Sequence, residues 1–206
     1  MIEMTFKFKT EIWVPIYTGI KAENFQEFVE ALKVIPSGSI LYHLYINLFN
    51  YHNLPTVYPN SFAHWLASNG YKTLAEKLSV LDPTRYYDLE SLREDLLKVL
   101  LEWEIERVKS PLRPFYFMDV YRKVFETGRV AHDLEQLIDG VSKSSIYSIF
   151  YHLITCRIDK GSLLNDYSEW LILQGYAKKA ESIESIDIYL LNLYEIKGVI
   201  LEVLKA

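Results

Sequence analysis

Ser39-Ile40-Leu41-Tyr42-His43-Leu44-Tyr45 recurs in the second half of the chain as Ser148-Ile149-Phe150-Tyr151-His152-Leu153-Ile154. Each copy is followed by a segment that carries a tryptophan, Trp65 or Trp170, and ends at Gly-Tyr, Gly70-Tyr71 or Gly175-Tyr176. From Ile40 to Phe49 almost every residue is apolar, with His43 and Asn47 as the exceptions. A helix without a polar face is one surrounded by other elements. The stretch therefore reads as the central helix of its half.

Working outward, the match extends in both directions. Phe115 and Phe117 stand where Phe6 and Phe8 stand, Thr127-Gly128 where Thr18-Gly19 stands, and Asp133 and Gln136 where Asn24 and Glu27 stand. All share one offset with the Tyr-His pair. The loop after the central helix is shorter in the second half, and beyond it Trp170 matches Trp65 and Ala180-Glu181 matches Ala75-Glu76. Leu193, Ile196, Ile200 and Leu204 then repeat the stripe Leu89, Leu92, Leu96 and Leu100. One insertion site and a nearly constant offset predict a tandem duplication, with a first repeat over 1–109 and a second over 110–206.

Within each repeat the local signals are conventional. Phe6, Phe8, Ile12, Val14 and Ile16 alternate, the period of a strand with one buried face, and Thr18-Gly19 closes it as a turn. Asn24 and Glu27 form a capping box ahead of the stripe Phe25, Phe28, Val29 and Leu32. Ser61 and Asp166 are expected to cap the tryptophan helices, and Asp88 the last helix of the first repeat. The predicted fold is mainly α, with a short strand or extended segment opening each half. Two homologous repeats are expected to pack with pseudo-twofold symmetry, as the halves of a fused isologous dimer would. Lys109 to Pro114, with two prolines among charges, reads as the linker.

The chain of 206 residues is half hydrophobic and carries a formal net charge of −5 with both signs interspersed. That balance gives no electrostatic footprint for nucleic acid. No apolar run reaches the roughly 18 to 20 residues of a membrane span, and no signal peptide opens the chain. A single cysteine, Cys156, leaves no internal disulfide and no cysteine metal cage. The expectation is a cytoplasmic protein without a cofactor, bound neither to nucleic acid nor to membrane, whose partner is another protein or a second copy. A leaning towards Glu, Lys, Ile, Leu and Tyr suits a heat-adapted prokaryotic source.

The second half carries Phe115-Tyr116-Phe117, Phe125-Glu126-Thr127-Gly128, Val130-Ala131-His132-Asp133-Leu134, Tyr151-His152, Arg157, Asn165-Asp166-Tyr167-Ser168 and Trp170-Leu171. The first half adds Leu81-Asp82-Pro83, Tyr87 and Leu89-Glu90-Ser91-Leu92-Arg93. Together they resemble an uncharacterised prokaryotic domain family of unknown function that often occurs in tandem. The likeness spans nearly the whole chain and implies no activity, substrate or cofactor. The first half departs from it at Leu48, where the second has Arg157, and at Ser61, where the second has Asp166.

A functional site is therefore expected in the second half. His152, Arg157, Asp166 and Trp170 are the candidate ligand-binding residues, with His43 and Trp65 as structural counterparts. An arginine fork, a carboxylate and an indole suit an anionic or sugar-like ligand. His152 would serve a small enzyme only if it reached a cleft together with Arg157 and Asp166. Sealed and bonded to backbone, it would be a core histidine. No histidine spacing matches a zinc pattern, and no Gly-rich loop precedes a helix as in a phosphate cradle. The leading expectation is a non-catalytic interaction or ligand-sensing module. The loop Asn50–Asn60, rich in Asn, Pro and Tyr, reads as a recognition surface.

Overall fold

The computed structural model describes residues 5–49, 58–102 and 113–206. Most of the Asn50–Asn60 loop and of the linker lie outside the described residues. The architecture is mainly helical, with one two-stranded antiparallel sheet. In chain order the elements are β1 (Phe6–Ala22), α1 (Phe25–Val34), α2 (Ser37–Tyr45), α3 (Ser61–Ser68), α4 (Lys72–Ser79) and α5 (Leu89–Leu101). Then follow β2 (Phe115–Ala131), α6 (Leu134–Lys143), α7 (Ile146–Phe150), α8 (Cys156–Lys160), α9 (Asp166–Leu173), α10 (Ala177–Glu184) and α11 (Leu193–Lys205).

The strands are long, at 17 residues each, rather than the short openings expected. Thr18-Gly19 does not end β1. The strand passes through it with Gly19 at φ +81°, a conformation that glycine takes without strain, and the Thr18 hydroxyl accepts the Ile20 N–H at 3.1 Å. Gly128, at φ +76°, does the same in β2. The single buried face predicted for β1 also fails beyond Phe8. Ile12, Val14 and Ile16 are exposed and Glu11 points inward, because Arg122, Trp13 and Thr155 supply its carboxylate with partners.

The chain forms two compact units whose limits differ from the repeat boundaries. One consists of Met1–Trp13 and Arg122–Ala206, here the C-terminal unit; the other, Val14–Tyr121, is the N-terminal unit. Each unit thus holds the beginning of one strand and the end of the other.

In the C-terminal unit, Phe6 and Phe8 from the start of β1 enter a core made by α6–α11, with Leu137, Val141, Ile149, Leu153, Tyr167, Leu171, Ile196 and Ile200 all buried. The Phe8 ring lies against Gly140 so closely that a Cβ there would come within 2.1 Å of it, which is why α6 has a glycine at that position. Thr127 donates its hydroxyl to the Phe8 carbonyl at 2.8 Å. Lys197 on α11 donates to the carbonyls of Ser142 and Ser144, closing the C-terminus of α6.

In the N-terminal unit, Phe115 and Phe117 from the start of β2 enter a core of Phe28, Leu32, Ile40, Leu44, Phe62, Leu66, Leu74, Leu92 and Leu96. Thr18 donates to the Phe117 carbonyl at 2.7 Å. Arg93 on α5 donates to the carbonyls of Leu32 and Ile35 at 2.7 and 2.8 Å, closing α1.

Candidate functional site

The central helix of the C-terminal unit runs from α7 through one π-helical turn, Tyr151–Thr155, into α8. His152 sits in that turn and is 1% exposed. Its Nε2 accepts the backbone N–H of Lys9 on β1 at 2.8 Å. Its Nδ1 lies 2.7 Å from Oδ2 of Asp166 on α9. With Nε2 accepting, the ring proton must reside on Nδ1, so Nδ1 donates to the carboxylate. Burial pushes the His152 pKa down, with the bond to Asp166 opposing it. Protonating the ring would set a second N–H against that of Lys9. The imidazole is therefore neutral and held in one tautomer.

Asp166 is the first residue of α9, but the cap is its predecessor. The Asn165 side chain accepts the Ser168 N–H at 2.9 Å, and Asn60 does the same for Ala63 on α3 at 2.9 Å. The expected capping roles of Asp166 and Ser61 each move back by one residue, which leaves the Asp166 carboxylate for other partners. Its second oxygen takes the Lys160 ammonium at 2.7 Å. Burial alone would raise its pKa, but His152 and Lys160 together hold it below the usual carboxylate value.

Arg157 goes elsewhere. It is 5% exposed, donates from Nε to the Leu153 carbonyl at 3.0 Å and pairs with Glu184 at 2.7 Å. Glu184 in turn accepts from the Asn165 amide at 2.6 Å. The structure therefore brings His152 to Asp166 and gives Arg157 to a separate cluster.

Asp166 and Trp170 do share one wall. They line a cleft of about 320 Å³ with Glu169 and Leu173 on α9 and with Thr5, Phe6, Lys7 and Lys9 on the chain entering and forming β1. Trp170 is only 4% exposed and stands edge-on to Phe6, at 6.3 Å and 87°. His152 lies behind Asp166 rather than in the lining.

The expected counterparts are placed alike in the N-terminal unit. His43 is 4% exposed and its Nε2 accepts the Met118 N–H at 2.9 Å. Trp65 donates its indole N–H to the Arg113 carbonyl at 2.6 Å. The sequence reading missed Lys160, Glu184 and Glu11. Only Glu11 of these is buried, and nothing in the local pattern marks an isolated charged residue as pointing inward. No cluster of three or more metal-ligating side chains occurs among the described residues. No described helix is long and apolar enough to cross a membrane.

Residues 3–205 match a family of unknown function, DUF5752, and the chain belongs to it. It is also similar to a solved structure, OrfY from Thermoproteus tenax. The two share 28% identity and a TM-score of 0.84 over 98% of this chain and 94% of that one. No curated protein matches.

Proposed function

We propose that the protein is a non-catalytic interaction or ligand-sensing module, built as a tandem duplication in which each repeat's opening strand fills the core beside the other repeat's helices. The observation that carries the first part is the use of both His152 nitrogens. A general base needs a free ring nitrogen at the reacting proton. Here one nitrogen accepts from Lys9 and the other donates to Asp166. The duplication is supported by paired contacts: Thr127 to Phe8 and Thr18 to Phe117, Lys197 and Arg93 on the carbonyls that end α6 and α1, His152 to Lys9 and His43 to Met118.

The contact site of this reading is the cleft walled by Asp166, Glu169, Trp170 and the start of β1. Its carboxylates, flanked by Lys7 and Lys9, and its indole suit a polyhydroxylated ligand, and Arg157, paired with Glu184, adds no fork for an anion. A heat-adapted prokaryotic source and a cytoplasmic setting belong to the same proposal, as does a protein partner or second copy. The leaning of the composition supports the source and the lone Cys156 the compartment.

A thermal-shift screen of the full chain against sugars, sugar phosphates and amino acids tests the cleft. A stabilising sugar is expected, and its effect is expected to vanish in Glu169→Lys. An effect that persists in that variant moves the site elsewhere, and turnover of the sugar, seen by mass spectrometry, overturns the non-catalytic reading. His152→Ala should lower stability by about 3 kcal/mol, since it removes a buried ring, takes the acceptor from the Lys9 N–H and leaves one Asp166 oxygen without its donor. Calorimetry of the variant measures this, and an unchanged melting temperature would show that the ring is not a structural clamp.

A further inference from the structure

His43 and His152 are held by the same set of neighbours. The His152 ring lies 4.8 Å from Phe6 at 47°, 5.5 Å from Tyr167 at 54° and 6.0 Å from Phe8 at 82°. The His43 ring lies 4.7 Å from Phe115 at 51°, 5.1 Å from Phe62 at 42° and 6.1 Å from Phe117 at 87°. Both rings accept a strand N–H at Nε2. Nδ1 of His152 meets the first residue of α9, and with packing and one nitrogen fixed alike the corresponding position for His43 is the first residue of α3.

The difference is what meets it there. His152 finds the Asp166 carboxylate, whereas the equivalent first residue of α3 is Ser61. Nδ1 of His43 is fully buried and has no hydrogen-bond partner among the described residues. Because Nε2 accepts from Met118, this nitrogen carries the proton, so it is a buried donor without an acceptor. The amide of Asn60, next to Ser61, is a second one; its counterpart, Asn165, donates to Glu184. Such orphaned donors cost free energy unless something supplies an acceptor.

Beside Ser61 opens a cleft of about 400 Å³, lined by Asn47, His64, Trp65, Asn69 and Arg113 among others. Among the described residues no carboxylate lines it, in contrast to the Asp166 cleft, Arg113 adds a positive charge, and His43 lies behind the lining as His152 does. The first turn of α3 also presents the positive end of its helix dipole.

We propose that this cleft binds a small carboxylate, which occupies the place that Asp166 fills in the C-terminal unit and accepts the Nδ1–H of His43. The site is distinct from the Asp166 cleft and does not depend on it. It makes the N-terminal unit the one whose core polar pair is completed by a ligand.

Sodium acetate is the simplest probe. In the full chain at pH 7, acetate is expected to raise the melting temperature saturably by about 2–4 °C over sodium chloride of equal ionic strength. It should also shift the His43 ring resonances in the ¹⁵N-histidine-labelled protein. Ser61→Asp builds the carboxylate into the chain at a helix start that favours it. This variant should melt higher than wild type without acetate and lose the acetate response. Equal effects of acetate and chloride, a response that survives in Ser61→Asp, or a Ser61→Asp protein that melts no higher than wild type would each overturn the proposal.

Discussion

Phe8→Ala is expected to loosen helices that lie more than a hundred residues away in sequence while sparing those that follow it. Hydrogen exchange of the variant should accelerate through α6–α11 and stay at the wild-type level through α1–α5. The reason is the membership of the two units: Phe8 belongs with Arg122–Ala206. Its ring is 1% exposed, lies against Gly140 and meets His152 edge-on at 6.0 Å. Truncating a buried phenylalanine costs about 3–5 kcal/mol, a large share of the roughly 5–15 kcal/mol that holds a domain together. Phe117→Ala, 0% exposed in the N-terminal unit, should give the converse pattern. If Phe8→Ala instead accelerated exchange in α1–α5, the assignment of strand to helices would be wrong.

Acid should weaken the N-terminal unit through His43. Burial pushes its pKa down from the ordinary 6.5 to about 3, and the buried Nε2 has no place for a second proton beside the Met118 N–H. The unfolded chain takes up a proton near pH 6.5 that the folded unit refuses until pH falls to about 3. Over that window the unfolded state binds more protons, so stability falls as pH falls. Between pH 6.5 and 5, above the range of ordinary carboxylates, the loss approaches about 1.4 kcal/mol per pH unit. The pKa of His152 is also lowered by burial, with its bond to Asp166 opposing the shift. Denaturant melts across this range measure the slope. His43→Gln keeps an acceptor for the Met118 N–H without a titrating ring and should flatten it. A slope unchanged in that variant would assign the acid response to other groups.

The parts of the site that were legible in the sequence are those tied to the recurring pattern. Tyr-His, the tryptophan that follows and the Arg157/Leu48 and Asp166/Ser61 differences all stand out when the halves are aligned. What those differences do was not legible. Arg157 and Asp166 read as members of one cluster with His152 and Trp170, yet Arg157 turns to Glu184 and Asp166 to His152 and Lys160. A side chain's partner depends on which element faces it: Glu184 comes from α10, Lys160 from α8 and His152 from the π-helical turn. The strand length was missed because Thr-Gly ordinarily marks a turn. Here Gly19 and Gly128 let a strand continue at positive φ.

By itself the sequence determined the mainly helical architecture, the caps Asn24, Asp88 and Asp133 and the family, because periodicity, capping chemistry and motif order act over a few residues. It also placed a pair of phenylalanines on the opening strand and a histidine on the central helix of each half. Only the tertiary structure decided whose phenylalanines those are. Phe6 and Phe8 fill the unit of Arg122–Ala206, and Phe115 and Phe117 fill that of Val14–Tyr121. Both pairs have the same side chains and the same spacing, so no local preference distinguishes one core from the other. The choice is made by the pairing of two long strands, a non-local contact that no stretch of the chain records.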